Sequence, residues 1–140
     1  MTIEESKKFL ALIKVAYPSA YKDIDRDSAL ATVNMWQRDF PTVPFDIMGM
    51  ALERFRKKSK FPPTVADIYE ELSGLYHFAV EYALSTNTQQ TKNAGMYIMK
   101  HTRDFTDGTA QQRINQSAMT QLMGSDEKRM MIEGGDADGR

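Results

Sequence analysis

Cysteine is absent from the 140 residues, which excludes disulfides, thiolate metal sites and thiol nucleophiles and suits a reducing compartment. Histidine is nearly as scarce: His77 and His101 stand far apart, without the close spacing of a zinc-binding helix, so no metal is expected. No Gly-x-x-x-x-Gly-Lys-Ser/Thr loop is present to cradle nucleotide phosphates, and no cofactor is implied. Lacking a convergent set of acids, bases or ligands, the chain reads as non-catalytic. Long apolar runs are missing too. None approaches the roughly 18–20 residues that span a bilayer, and the opening MTIEESKKFL has no apolar core of a signal peptide. The expectation is a cytoplasmic protein with no membrane contact. Charge of one sign is also lacking: 18 Lys and Arg against 19 Asp and Glu leave a net charge of -1. Any attraction to nucleic acid must then be local and weak.

What is present is a helical pattern. Thr2 followed by Glu5 has capping-box spacing, and Phe9, Leu12, Ile13, Ala16 and Tyr17 recur at helical intervals before Pro18. A second stripe, Leu30, Val33, Trp36 or Gln37, and Phe40, follows an acidic stretch with Asp27 or Ser28 expected as its N-cap, and Pro41 stops it. A third helix opens at Thr42–Pro44, with the proline in its first turn, and carries Phe45, Met48, Leu52 and Phe55. A fourth begins at Thr64 after Pro62 and Pro63, with Asp67 near its positive end and Val65, Ile68, Leu72 and Leu75 on one face. Gly74 leaves open whether Leu75–Leu84 continues that helix, kinks it or forms a separate one. No alternating apolar pattern around a tight turn suggests a β-hairpin, and no repeat is visible.

The composition changes at Ser85, where STNTQQTKN offers nine polar residues in succession. The reading is a compact four-helix all-α domain over residues 1–85, then a linker and flexible C-terminal tail over 86–140 with a candidate helix at 109–123. Met96–Met99 makes a short apolar cluster in that tail. On the candidate helix, Ile114, Ala118 and Leu122 recur at four-residue intervals, with Met119 and Met123 beside them. Flexible thioethers suit an irregular partner groove, so these five residues are the expected partner contact.

Arg54, Arg56, Lys57, Lys58 and Lys60 place five cations in seven residues at the end of the third helix. The helix dipole favours cations there, which makes a solvated cap the plainer account; a patch for DNA or an acidic partner is the alternative. Trp36 reads as a core residue rather than a partner's anchor.

One string is more specific than the rest. Lys60-Phe61-Pro62-Pro63-Thr64-Val65-Ala66-Asp67-Ile68 follows Tyr17-Pro18, Trp36 and the Pro44-led helix in order. This arrangement resembles the phage family of replicative-helicase loader and inhibitor proteins, over about residues 5–72. The resemblance implies a small helical adaptor for the hexameric replicative DNA helicase, which it keeps inactive off DNA and helps deliver to an initiator-marked origin. It further implies that the C-terminal part engages the helicase and that a replication initiator is a second partner. Loader against pure inhibitor, and host against phage helicase, stay open. From the residues alone, a helical DNA-binding replication or regulatory protein using the basic run 54–60 is the rival.

Overall fold

Three of the helices begin where a side chain takes up backbone N–H groups left free by the first turn. A computed structural model describes residues 1–85 and 87–106. Helix α1 (Ile3–Ala16) starts from a complete capping box: Thr2 Oγ1 accepts from Glu5 N, and Glu5 Oε1 accepts from Thr2 N at 2.9 Å. Helix α2 (Arg26–Asp39) is capped by Asp25, whose Oδ1 accepts from Ser28 N at 2.7 Å. That corrects the expected cap at Asp27 or Ser28. Asp25 keeps extended backbone and reaches three residues on, which leaves Asp27 in the first turn, where the helix dipole favours an acid. Helix α3 (Phe45–Arg56) has Pro44 as its N-cap, one position outside the first turn expected for it. Helix α4 (Val65–Leu84) opens on a second capping box, Thr64 with Asp67, and runs unbroken through Gly74.

The four expected helices are joined by a fifth, α5 (Gln89–Thr102), which ends in a single 3₁₀ turn at Arg103–Phe105. It occupies the stretch that reads from sequence as linker, and it packs along α4. Its inner face explains why the stripe is invisible in the sequence. Gly95, Ile98 and Thr102 are the buried residues of α5, and two of the three offer no apolar side chain to a periodicity reading. A Cβ at Gly95 would sit 3.0 Å from Ala83 Cβ and 3.2 Å from the Ala79 carbonyl oxygen, so the bare glycine is what lets α5 lie so close to α4. Among the described residues every regular element is helical, and the fold is all-α.

An aromatic chain threads the core. Phe9 of α1 meets Trp36 edge-on at 5.0 Å, Trp36 stacks on Phe40 at 5.8 Å, Phe40 touches Tyr69 at 4.8 Å, and Tyr69 meets Phe105 edge-on at 4.8 Å. Such offset and T-shaped pairs contribute beyond the area they bury. Trp36 is fully buried, and its indole N–H has no hydrogen-bond partner among the described residues. It is therefore a core residue, as its place on the second stripe suggests.

Polar ties fix the connections. Ser6 Oγ donates to the Val33 carbonyl at 2.6 Å, locking α1 to α2. The Met1 ammonium donates to the carbonyls of Phe40 and Val43 at 2.9 and 2.8 Å, closing the turn between α2 and α3. Tyr17, at the end of α1, donates its hydroxyl to the Ser59 carbonyl at 3.1 Å, and burial pushes its phenol pKa up. This bond ties the tyrosine-proline pair to the loop that carries Phe61-Pro62-Pro63. Among the described residues no helix is long and apolar enough to cross a membrane.

Candidate functional site

The basic run lies at the end of α3 and in the loop to α4, but its five cations do not form one surface. Arg54 Nε lies 3.4 Å from Glu71 Oε1 and Lys58 Nζ lies 2.6 Å from Glu71 Oε2. The Glu71 side chain is only 3% exposed, so these two cations compensate a carboxylate buried on the core face of α4. Arg54 comes close because α4 has Gly74 opposite it, where a Cβ would stand 2.8 Å from Arg54 Nη2. Arg56 pairs with Glu53 one turn earlier at 2.6 Å, which lowers the Glu53 pKa through that hydrogen bond. Lys57 and Lys60 remain exposed, and Phe61, next to Lys60 in the chain, is itself 75% exposed. Sequence reasoning misses Glu71. Its signal is an acid next to Leu72 on the apolar stripe of α4, four residues before Leu75, with a cation-rich helix end earlier in the chain.

A second feature has no counterpart among the sequence expectations. Leu12 and Val15 of α1, Gly49 and Met50 of α3, and Leu75 and Phe78 of α4 line an open apolar groove of about 900 Å³. Glu53, Arg54 and Arg56 line the same groove, so it joins an apolar floor to the charged end of α3. Val15 is 78% exposed and Phe78 48%, and the space over Gly49 is open for 4 Å. Phe78 also stacks on Tyr82 at 5.7 Å, which extends the apolar surface along α4. A contiguous apolar patch bounded by charges is the usual mark of an interaction surface. Periodicity puts Leu12 on the first stripe with the core residues, because a stripe's period does not say where along a helix its covering neighbour ends.

Among the described residues no three His, Cys, Asp or Glu side chains are placed to hold a metal ion. His77 packs edge-on to Tyr76 at 5.6 Å and His101 edge-on to Tyr97 at 4.8 Å, on different helices. The arrangement can bind, through apolar contact and charge. The residues expected to contact a partner in the tail, Ile114, Ala118, Met119, Leu122 and Met123, lie outside the described residues, as does the whole candidate helix 109–123.

Residues 1–69 match the family model for the N-terminal domain of the phage helicase loader and inhibitor protein. Residues 1–69 are a domain of that family's type. It is the family that the FPPT string resembles, and one that interacts with the replicative DNA helicase. The loader-type domain thus takes in α1 to α3 and the first turn of α4, including the Tyr17–Ser59 bond and the Thr64–Asp67 capping box. The match ends at Tyr69, before Glu71 and before α5. No curated protein and no solved structure matches the chain.

Proposed function

We propose that the protein is a non-catalytic DNA-replication adaptor that binds the hexameric replicative helicase, restrains it off DNA and assists its loading at the origin. The observation that carries this reading is the loader-type domain over residues 1–69. Binding alone suffices as mechanism. An adaptor with higher affinity for an inactive or loadable ring shifts the helicase toward that state by the difference in affinity. The proposed grip is the tail stripe of Ile114, Ala118, Met119, Leu122 and Met123, an i/i+4 pattern of the kind that anchors an amphipathic helix in a partner's groove. A replication initiator is the proposed second partner, and the bacterial cytoplasm the proposed location.

The test compares the full chain with one ending at Thr106 in pull-downs and unwinding assays with purified host and phage replicative helicases. The full chain is expected to form a complex and suppress unwinding, while the shortened chain keeps its melting temperature and loses binding. Binding retained by the shortened chain would move the grip onto the helical domain, and no binding to any replicative helicase would refute the adaptor reading itself.

A second reading, direct contact with DNA, draws on one observation: exposed Phe61 beside Lys60 offers a stacking face next to a cation. Two of the five cations are engaged on Glu71 and a third on Glu53, which leaves little charge for phosphate. Strong, salt-dependent binding of the domain to a single-stranded oligonucleotide would favour this reading.

A further inference from the structure

Met1 is held by both its side chain and its amine. The side chain is buried in the core, and the ammonium donates to three backbone carbonyls, those of Phe40 at 2.9 Å, Pro41 at 3.2 Å and Val43 at 2.8 Å. All three carbonyls lie in the turn that joins α2 to α3. Phe40 is the C-cap of α2, where a helix leaves carbonyls without intrahelical partners and its dipole favours a cation. Pro41 and Pro44 bring no N–H to the same turn, which leaves it short of backbone donors of its own. Three converging acceptors match the three hydrogens of an ammonium.

The surroundings restrict what else the nitrogen can carry. Phe40 and Val43 are core residues on either side of the cradle, and Thr2, next along the chain, is committed to the capping box that starts α1. An acyl group or an added residue would turn the ammonium into an amide with a single N–H. It would also bring a carbonyl oxygen of its own toward three others, and buried acceptors left without a donor are costly. Burial lowers the pKa of the amine, and the Glu5 carboxylate works against that.

We propose that the turn between α2 and α3 is a recognition site for the free α-ammonium of Met1, and that acylating or extending this amine is a modification that loosens the junction of α1, α2 and α3. Wherever Met1 carries a free amine the junction is closed; wherever the amine is blocked, the same sequence has a weaker fold. The inference concerns the helical domain alone and does not rest on the helicase reading.

The first test reads the amine directly. The full chain with a free Met1 amine, verified by intact mass, is treated with a limiting amount of an acetylating ester, and modification is followed by peptide mass spectrometry with exposed Lys60 as internal reference. An ordinary α-amine titrates at about pH 8 and is acylated ahead of lysine at neutral pH. Held in the cradle, Met1 should react about tenfold more slowly, relative to Lys60, than in the same chain unfolded in urea. Equal relative rates would overturn the proposal.

Stability gives the second readout. A chain left formylated at Met1, and one with a Gly-Ser dipeptide added ahead of Met1, should both melt on the order of 5–10 °C below the free-amine chain. The same dipeptide added after Arg140 should leave the melting temperature unchanged. Blocked chains that melt within about 1 °C of the free-amine chain would overturn the proposal. So would a loss caused by the dipeptide but not by the formyl group, which would reduce the effect to bulk.

Discussion

Lys58 Nζ stands 2.6 Å from Oε2 of Glu71, so a cation from the loop after α3 neutralises a carboxylate buried on α4. Arg54 approaches the other oxygen at 3.4 Å, and together they divide the basic run into a structural part and an exposed part. The division is set by geometry rather than composition. Arg54 reaches Glu71 from the last turn of α3 and Lys58 from the loop beyond it, while Lys57 and Lys60 are exposed.

Removing both structural cations should therefore cost stability. Arg54→Ala with Lys58→Ala leaves the Glu71 carboxylate buried without compensation. The expected loss is about 2–3 kcal/mol, below that for a fully buried pair because both cations are half in solvent. Adding Glu71→Leu should recover most of it, since an apolar side chain suits that site. Lys57→Ala with Lys60→Ala should change stability by no more than about 0.5 kcal/mol. Denaturant melts of the three variants measure this, and equal losses for the two pairs of cations would contradict the division.

Trp36 supplies a cleaner core test. Trp36→Ala removes the ring between Phe9 and Phe40 and should cost about 3–5 kcal/mol. Trp36→Phe keeps an aromatic contact and removes an indole N–H that has no partner among the described residues, so its cost should be well under half of that. Thermal unfolding of both variants gives the comparison, and similar losses would mean that the ring's outer half, not its aromatic contacts, is what the core needs.

Much of the fold is legible because the first four helices advertise themselves twice, by stripe and by a cap or stop signal. Thr2–Glu5 and Thr64–Asp67 are capping boxes written in nearby residues, and Pro18 and Pro41 follow the ends of α1 and α2. What stays hidden depends on residues that meet only after folding. The buried face of α5 is made of glycine, isoleucine and threonine, so it reads as polar until Ala79 and Ala83 are seen against it. Glu71 looks like a misplaced acid until Arg54 and Lys58 arrive from another element. The groove is harder still, since it is a place where three stripes fail to cover one another.

The place of α5 leads to a prediction about fragments. A chain ending at Thr106 keeps Ile98 in the core and Phe105 against Tyr69 and Phe40; one ending at Ser85 exposes the surfaces that they cover. The longer fragment should unfold cooperatively at a clearly higher temperature and with a larger denaturant slope, because more surface is exposed on unfolding. Calorimetry and urea melts of both fragments test this, and equal melting temperatures would show α5 to be dispensable to the four-helix unit.

Acid should loosen α1 and α2 from their N-termini. The Glu5 and Asp25 carboxylates have pKa values held below the ordinary range, chiefly by backbone N–H bonds from Thr2 and Ser28 respectively. A lowered folded-state pKa means that this stabilisation is complete at neutral pH and is lost as pH falls through the ordinary carboxylate range toward the folded value. Asp25→Asn keeps a capping oxygen but cannot titrate. Its melting temperature should therefore fall less steeply on acidification than that of the native chain, and identical slopes would rule out a contribution from the Asp25 cap.

Two glycines in helices offer opposite outcomes from the same substitution. Alanine for glycine in a helix interior gains about 0.8–1.0 kcal/mol of propensity when the new methyl has room. At Gly74 the methyl would meet Arg54 Nη2 at 2.8 Å, the far end of a flexible side chain that can swing aside while Lys58 keeps Glu71 paired. Gly74→Ala is thus expected to be neutral or stabilising. At Gly95 the methyl would meet Ala83 Cβ at 3.0 Å and the Ala79 carbonyl oxygen at 3.2 Å, both fixed to the α4 backbone. Relief there requires α5 to move off α4, which opens the seam around Leu75, Ala79 and Ile98. Gly95→Ala should accordingly lose its propensity gain and destabilise the protein, and Gly95→Leu should cost a further ~1–3 kcal/mol through overpacking. Paired melts of Gly74→Ala and Gly95→Ala read the difference directly. If both variants gained stability alike, α5 would not be packed on α4 at the distance that its bare glycine allows.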